Sequence, residues 1–179
     1  MSQNIVVLQG SPRQGANTSQ LVDAFVAGAG EAGAKVSVFH VARHKIGGCL
    51  GCNHCFEETG VCVQKDDMPL LLDAVRAAEV LVLASPVYFF GVSAQLKTAI
   101  DRLYALLKEG SPVKKAALLL TCGDTDPSVA EPSIGMFRQI AGYQKWEAAG
   151  IIVATGLQDA NDIRGRPELE QARRLGLTI

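Results

Sequence analysis

The chain has 179 residues, of which 48% are hydrophobic and 20% charged, and this composition is typical of a globular domain with one core. Its 17 lysines and arginines nearly balance its 18 aspartates and glutamates without forming charged blocks, so neither nucleic acid nor an anionic membrane is expected as a partner. The sequence has no apolar run of roughly 20 residues, as a membrane-spanning helix requires, and no apolar leader, so we predict a single cytoplasmic domain over residues 1–179.

The first stretch with a clear pattern is residues 4–21, where an apolar strand ends in Gly10 and a helical pattern follows. A strand, a tight loop and a helix N-terminus create an anion site, because backbone N–H groups converge there and the helix dipole favours negative charge. The loop has neither the lysine of a Walker A loop nor the Gly-x-Gly-x-x-Gly of a dinucleotide site. Its polar groups suit a terminal monophosphate such as that of FMN, and the alternative is an ordinary polar turn. The candidates are Ser11, Arg13, Asn17, Thr18 and Ser19.

Strand patterns and helical patterns alternate along the rest of the chain. The strands are predicted at 5–8, 35–41, 79–84, 114–120 and 150–154, and the helices at 19–32, 66–78, 93–107, 134–149 and 167–176. Five such units with right-handed crossovers predict an α/β fold, a doubly wound five-stranded parallel sheet in the order 2-1-3-4-5. Ligands bind such sheets beyond the ends of the first and third strands, which are followed here by the two most elaborate loops, 10–19 and 85–91.

Loop 85–91 and the residues after the fourth strand carry groups that suit a flavin ring. Such a ring needs apolar and aromatic surface on its faces and peptide groups around its pyrimidine edge. Tyr88 and Phe89 offer aromatic surface, whereas Phe90 is equally well explained as a core residue. Residues 121–124 can supply the peptide groups, and Cys122 is interpreted there as a small loop residue.

Four of the five cysteines lie in a long irregular insertion at about 44–67, as Cys-x-x-Cys-x-x-Cys followed by six residues and a fourth cysteine. They are Cys49, Cys52, Cys55 and Cys62. In a reducing compartment, thiolates at this spacing favour an iron–sulfur cluster or a tetrahedral zinc site over structural disulfides. Zinc is less favoured because structural zinc sites usually use two separated pairs, although His54 keeps a mixed site open. Free thiols along a loop are the remaining alternative.

Four segments of the chain together resemble the NADPH-dependent FMN reductase and iron–sulfur flavoprotein family of the flavodoxin-like superfamily. The segments are GSPRQGANTSQL, CLGCNHCFEETGVCVQKDDM, SPVYFFGVSAQLKTAIDR and GLQDANDIRGRPELEQARRLG. The resemblance implies a flavodoxin-like fold that binds FMN non-covalently. It implies that the FMN phosphate is held by Ser11, Arg13, Asn17, Thr18 and Ser19. It also implies that the ribityl chain and ring are lined by Ser85, Pro86, Val87, Tyr88, Phe89 and Gly91, with Thr121, Cys122 and Gly123 at the pyrimidine end.

The same resemblance bears on the cysteine motif and on assembly. Iron–sulfur flavoproteins carry a 4Fe–4S cluster on a compact motif much like Cys49, Cys52, Cys55 and Cys62. Many relatives that are similar to plain FMN reductases share such cysteines without an established cluster. Family members are usually dimers or tetramers, so the resemblance implies a homodimer or homotetramer.

We therefore predict an NAD(P)H-dependent, FMN-containing oxidoreductase that passes electrons to a small-molecule acceptor, such as a quinone or a flavin, or to ferredoxin. No side chain is predicted to be catalytic, because the cofactor supplies the chemistry. One alternative is a flavodoxin-like electron carrier without NAD(P)H activity, but such carriers are strongly acidic and the net charge here is -1. Another is a metal-binding or redox-sensing module built on the four cysteines.

Overall fold

The computed structural model of the protein describes residues 3–179 apart from the side chain of Thr59. The strands are β1 (Asn4–Gln9), β2 (Lys35–His40), β3 (Val80–Tyr88), β4 (Gly91–Val92), β5 (Lys115–Thr121) and β6 (Glu147–Ala154). A parallel sheet with the strand order β2-β1-β3-β5-β6 runs through the protein. The helices are α1 (Asn17–Glu31), α2 (Met68–Arg76), α3 (Ala94–Arg102), α4 (Glu131–Gln144) and α5 (Pro167–Thr178). Short 3-10 helices occupy Val41–Arg43, Leu103–Leu107 and Pro127–Ala130, and a π-helix occupies Cys55–Thr59.

The α/β fold with a parallel sheet that the sequence predicts is confirmed. The strand numbering differs from the predicted 2-1-3-4-5, because the two-residue strand β4 pairs antiparallel with the end of β3, outside the main path of the sheet. A strand of this length is too short to produce an alternating pattern, so the sequence did not indicate it. β4 turns the chain back immediately after β3, which places a tight turn at the end of that strand.

Two apolar layers cover the two faces of the sheet. Alternate residues of β1 enter different layers: Val6 and Leu8 pack on the side of α2, α3 and α4, whereas Ile5 and Val7 pack on the side of α1 and α5. The central strands β3 and β5 are buried along most of their length because helices lie on both faces. Within residues 3–179, no helix combines the length and the apolar character needed to cross a membrane.

Helices α1 and α5 approach each other closely through two glycines. A Cβ atom on Gly28 would lie 1.9 Å from the carbonyl oxygen of Arg173, and one on Gly176 would lie 2.2 Å from that of Phe25. Side chains at these two positions would therefore collide with backbone atoms of the facing helix. The glycines fix how deeply α5 packs on α1.

The helix predicted over 134–149 is wrong at its C-terminal end. Lys145 adopts a left-handed φ of 60°, and the Trp146 N–H donates to the Ala141 carbonyl oxygen at 2.8 Å, which ends α4. The residues from Glu147 onward then pair with β5. Strand pairing along β5 outweighs the helix propensity of the alanines in this stretch, since propensity is a weak preference that tertiary contacts override.

The close contact between α1 and α5 predicts a position-dependent effect of alanine. Gly28→Ala is expected to lower the free energy of unfolding by about 2 kcal/mol or more, because overpacking forces two backbones apart. The matched control is Gly30→Ala in the same helix, where an added Cβ has nothing within 4 Å. This control is expected to leave stability unchanged or raise it by up to about 1 kcal/mol. Urea denaturation measures the free energy of unfolding of both variants. Equal changes in Gly28→Ala and Gly30→Ala would contradict the close contact between α1 and α5.

Candidate functional site

A cavity lies at the carboxyl ends of β1, β3 and β5, where the sequence predicts the ligand. Of the residues predicted to bind FMN, it is lined by Ser11, Arg13, Asn17, Thr18, Pro86, Val87, Tyr88, Thr121, Cys122 and Gly123. The other predicted residues, which lie outside its walls, are Ser19, Ser85, Phe89 and Gly91. Ala16 and Leu157 also line the cavity, and sequence reasoning missed both because small and apolar side chains carry no ligand signal of their own.

The amino end of α1 meets the cavity without a side-chain cap. Its N-cap residue is Ala16, which makes no side-chain hydrogen bond, and its first turn contains no acidic residue. Since the first N–H groups of a helix have no partners within the helix, this end can receive an anion. Arg13 is exposed at the same wall, and the Ser11 hydroxyl shapes the loop by accepting from the Arg13 N–H at 3.2 Å.

Three side chains predicted to hold phosphate are bonded within the protein. These bonds join Asn17 Nδ2 to the Asp159 carbonyl oxygen at 2.9 Å, Thr18 Oγ1 to Thr121 Oγ1 at 2.7 Å, and Gln9 Nε2 to Ser19 Oγ at 2.7 Å. Asn17 and Thr18 nevertheless line the cavity, whereas Ser19 is buried outside it. The structure therefore gives Ser19 a role in fixing the start of α1.

Ser85 is fully buried, and its hydroxyl joins two loops instead of lining the cavity. It donates to the Pro86 carbonyl oxygen at 2.7 Å and accepts from the Ser93 N–H at 2.8 Å. The Ser93 hydroxyl in turn donates to the Gly10 carbonyl oxygen at 2.7 Å. Buried hydroxyls that are satisfied in this way set the spacing between the loops that follow β1 and β3.

Phe89 and Phe90 form the two-residue turn between β3 and β4. Both have left-handed φ values, 48° and 68°, in a turn geometry that favours asparagine and glycine. Such a conformation costs about 1–3 kcal/mol for a bulky residue. Phe89 is 97% exposed and Phe90 is 54% exposed, so Phe90 is not the core residue that the sequence allowed. The strained turn holds two aromatic rings at the rim of the cavity, next to Tyr88.

Cys122 lines the cavity, and its peptide groups hold the loop behind it. Its N–H donates to the Ala154 carbonyl oxygen at 2.9 Å, and its carbonyl oxygen accepts from the Leu157 N–H at 2.9 Å. Burial raises the pKa of the Cys122 thiol, and the Asp124 carboxylate raises it further. The thiol is therefore neutral at physiological pH.

A second cavity, of about 500 Å³, is lined by all four cysteines of the motif. Cys49 and Cys52 are exposed, whereas Cys55 and Cys62 are half-buried. Burial raises the pKa of the Cys55 thiol, and Cys62 raises it further, because a second thiolate nearby repels negative charge. In the part of the chain that the structure describes, no three His, Cys, Asp or Glu residues are grouped so that they could hold a metal ion. The fold brings the thiols to one cavity without arranging them as ligands.

A buried ion pair between Asp66 and Arg102 connects the cysteine segment to α3. The Asp66 carboxylate also accepts from the Gly47 N–H at 2.9 Å and from the Met68 N–H at 3.1 Å. Burial alone would raise the pKa of Asp66, but these hydrogen bonds and the one from Arg102 lower it below its ordinary value. Sequence reasoning missed Arg102, because a basic residue in the last turn of a helix is usually a solvated charge that complements the helix dipole.

A family model described as NADPH-dependent FMN reductase matches residues 3–154. The chain belongs to the NADPH-dependent FMN reductase family. The predicted enzyme class, an NAD(P)H-dependent, FMN-containing oxidoreductase, is confirmed at this level. An iron-sulfur flavoprotein of Archaeoglobus fulgidus is 32% identical over 179 aligned residues, which cover 97% of this chain and 77% of that protein.

Solved structures also resemble this FMN reductase family member. An NAD(P)H:quinone oxidoreductase from Methanothermobacter marburgensis superposes with a TM-score of 0.77 at 19% identity, covering 99% of this chain and 96% of that one. An azoreductase from Bacillus anthracis str. Sterne superposes with a TM-score of 0.75 at 19% identity, covering 99% and 100%. At these identities the similarity shows a shared flavodoxin-like fold.

The lowered pKa of Asp66 predicts how stability depends on pH. At neutral pH, Asp66→Asn is expected to destabilise the protein by about 3 kcal/mol, since it leaves a buried guanidinium without its counter-charge. The contribution of the Asp66 carboxylate is fully present above its unfolded-state pKa of about 3.9 and is lost as the pH falls through the lower folded-state pKa. The difference in the free energy of unfolding between wild type and Asp66→Asn should therefore become smaller below about pH 4.

Denaturation by urea at a series of pH values measures this difference. Asp101→Asn is the control, because Asp101 is exposed and pairs with Lys97 at 2.6 Å on the surface of α3. Its effect is expected to stay below about 1 kcal/mol. A constant difference between wild type and Asp66→Asn from about pH 7 to about pH 3 would contradict the assignment.

Proposed function

We propose that this oxidoreductase is of the iron–sulfur flavoprotein type, with FMN in the cavity at the ends of β1, β3 and β5 and a 4Fe–4S cluster on Cys49, Cys52, Cys55 and Cys62. The observation that carries the proposal is that one chain contains two cavities with the donor groups that these two cofactors need. One cavity meets the uncapped amino end of a helix, and the other is lined by four thiols.

The first cavity fits FMN in its polar and its apolar parts. The free N–H groups at the start of α1, with Arg13 beside them, bind the phosphate. Pro86, Val87 and Tyr88 give the ring apolar and aromatic surface. The chemistry that bound FMN supplies is the acceptance of a hydride from NAD(P)H and the storage of its two electrons. The residues of the chain position the ring and leave one side of it open.

The second cavity fits a cluster in its ligand chemistry. Four thiols are the ligand set of a 4Fe–4S cluster, and all four motif cysteines line this cavity. Among the described residues the four thiols line the cavity without being grouped as metal ligands, so ligation requires their sulfur atoms to come closer together. The cluster, when bound, supplies one-electron transfer.

The proposed acceptor is a small planar molecule such as a quinone. The exposed rings of Tyr88 and Phe89 at the rim of the first cavity offer stacking surface to such a molecule. The structural neighbours named as a quinone oxidoreductase and an azoreductase support the same acceptor class.

Ferredoxin, a cytoplasmic location and assembly as a homodimer or homotetramer stay predictions. Exposed apolar side chains such as Leu50 and Tyr143 are the surface that assembly would cover.

The cluster predicts a different outcome for the motif cysteines and for the fifth cysteine. Wild-type protein purified anaerobically is expected to contain FMN and about four irons per chain. Cys62→Ser is expected to lose the iron and its broad absorbance while keeping FMN. The matched control, Cys122→Ser, lies outside the motif and is expected to keep the iron. An absorption spectrum with iron, zinc and flavin assays on each sample measures all three quantities.

Each alternative gives a distinct result in the same experiment. FMN with stoichiometric zinc, or FMN without any metal, would overturn the cluster and leave the reductase. Absence of FMN would overturn the assignment of the first cavity. Steady-state oxidation of NADPH with a quinone then tests the acceptor.

The phosphate site predicts a specific role for Arg13. Arg13→Gln is expected to weaken FMN binding about tenfold. This loss is at the low end of the range for a charge-assisted hydrogen bond, because Arg13 is exposed to water. Arg138→Gln removes an exposed arginine from α4, away from the cavity, and is expected to leave FMN affinity unchanged. Quenching of FMN fluorescence on titration with apoprotein measures both affinities. Equal affinities of wild type and Arg13→Gln would place the phosphate elsewhere.

A further inference from the structure

Arg102, the last residue of α3, carries a permanent positive charge where there is almost no water. The residue is 3% exposed, and a guanidinium does not lose its proton in proteins. Removing such a charge from water is costly unless its donors are paired. Its Nη1 group donates to the Asp66 carboxylate and to the Gly47 carbonyl oxygen, the latter at 3.3 Å.

Two other nitrogens of the same guanidinium are less well paired. Nε and Nη2 of Arg102 are buried and make no hydrogen bond of ordinary length and angle within the part of the chain that the structure describes, although the Cys62 side chain lies close enough to interact with the guanidinium. A buried donor without a partner is rare in folded proteins and calls for an explanation. Asp66 and the neighbouring Cys62 side chain raise the pKa of Arg102, although burial alone would lower it. The unused donors therefore belong to a cation that lies beside a cysteine sulfur.

Arg102 lies next to the cysteine cavity but is not one of its lining residues. Asp101, one position before it, and Tyr104, two positions after it, line that cavity together with the four motif cysteines. Its partners Gly47 and Asp66 precede and follow the motif in the chain. Arg102 thus holds both ends of the cysteine segment and lies behind the wall that the thiols form.

We propose that Arg102 is a positioning residue for the iron–sulfur cluster, whose Nε–H and Nη2–H groups donate hydrogen bonds to sulfur at Cys62 and raise the reduction potential of the cluster. This inference rests on the proposed function, because it requires a cluster on the four cysteines. Positive charge and hydrogen bonds to ligand sulfur stabilise the reduced, more negative form of such a cluster. Removing them makes the cluster harder to reduce.

The test compares Arg102→Gln and Arg102→Lys with wild type in the anaerobically purified full chain. Iron and FMN are assayed first, and the cluster is then titrated with a reductant while its paramagnetic resonance signal is followed. Arg102→Gln is expected to lower the equilibrium constant for reduction about tenfold, which corresponds to a midpoint potential about 59 mV more negative for one electron. Arg102→Lys keeps the charge opposite Asp66 but lacks the planar fork of donors, so a smaller shift in the same direction is expected.

Two controls distinguish this role from a structural one. Asp66→Asn removes the negative partner and leaves the guanidinium, so the potential is expected to shift in the positive direction. A general loosening of the segment would move the potentials of the Asp66 and Arg102 variants the same way. Arg138→Gln removes an exposed positive charge from α4, outside the walls of the cysteine cavity, and is expected to leave the potential unchanged, because water screens that charge.

The possible results distinguish a failure of the proposed role of Arg102 from a failure of the proposed cluster. If wild type contains iron and its midpoint potential equals the potentials of Arg102→Lys and Arg102→Gln, the role of Arg102 is overturned and the proposed cluster is not. Wild type with FMN but without iron would overturn the cluster, and this inference with it. Should Arg102→Gln fail to fold, Arg102→Lys decides the matter, since it retains the ion pair with Asp66.

Discussion

Parallel pairing of β3 with β1 on one side and β5 on the other is the constraint on which the rest of the structure depends. The register places Gln9, the last residue of β1, beside Ala84, and Thr121, the last residue of β5, beside Pro86, so β1 and β5 end within two residues of each other along β3, which continues to Tyr88. The loops that follow them must therefore meet, although they are far apart in the chain. The cavity in which we propose that the flavin binds is a consequence of this alignment, and each loop needs only a local sequence suited to its own part of the ligand.

Buried polar groups then divide into those that shape the fold and those that indicate function. The hydroxyls of Ser85, Ser93, Thr18 and Thr121 all find partners within the protein, and they join loops and helices into one rigid frame. Arg102 differs, because the described chain leaves two of its donors without a hydrogen bond of ordinary length and angle. A folded protein can tolerate such a group where a ligand completes it.

Much of the fold, and the position of a cavity at the ends of β1, β3 and β5, was predictable because both depend on local patterns. The apolar runs of β1, β3 and β5 and the turn residues after them indicate a parallel sheet and its ligand-binding edge. What the sequence did not reveal depends on directions of side chains and on long-range partners. Ser19 and Ser85 are polar residues in the expected loops, yet both point inward, and Phe90 is held outward by a left-handed turn. Arg102 is hidden for the same reason, since only the tertiary fold places Asp66 and Cys62 beside it.

The glycine contact between α1 and α5 makes the C-terminal helix a support for the cavity at the strand ends. The family model ends at residue 154, but α5 begins at Pro167 and packs directly on the helix whose amino end meets the cavity. The tilt of α1, and with it the direction of the N–H groups at its amino end, is set by a helix that contributes no residue to the walls of the cavity. A change in how α5 packs would therefore alter the cavity without touching any residue that lines it.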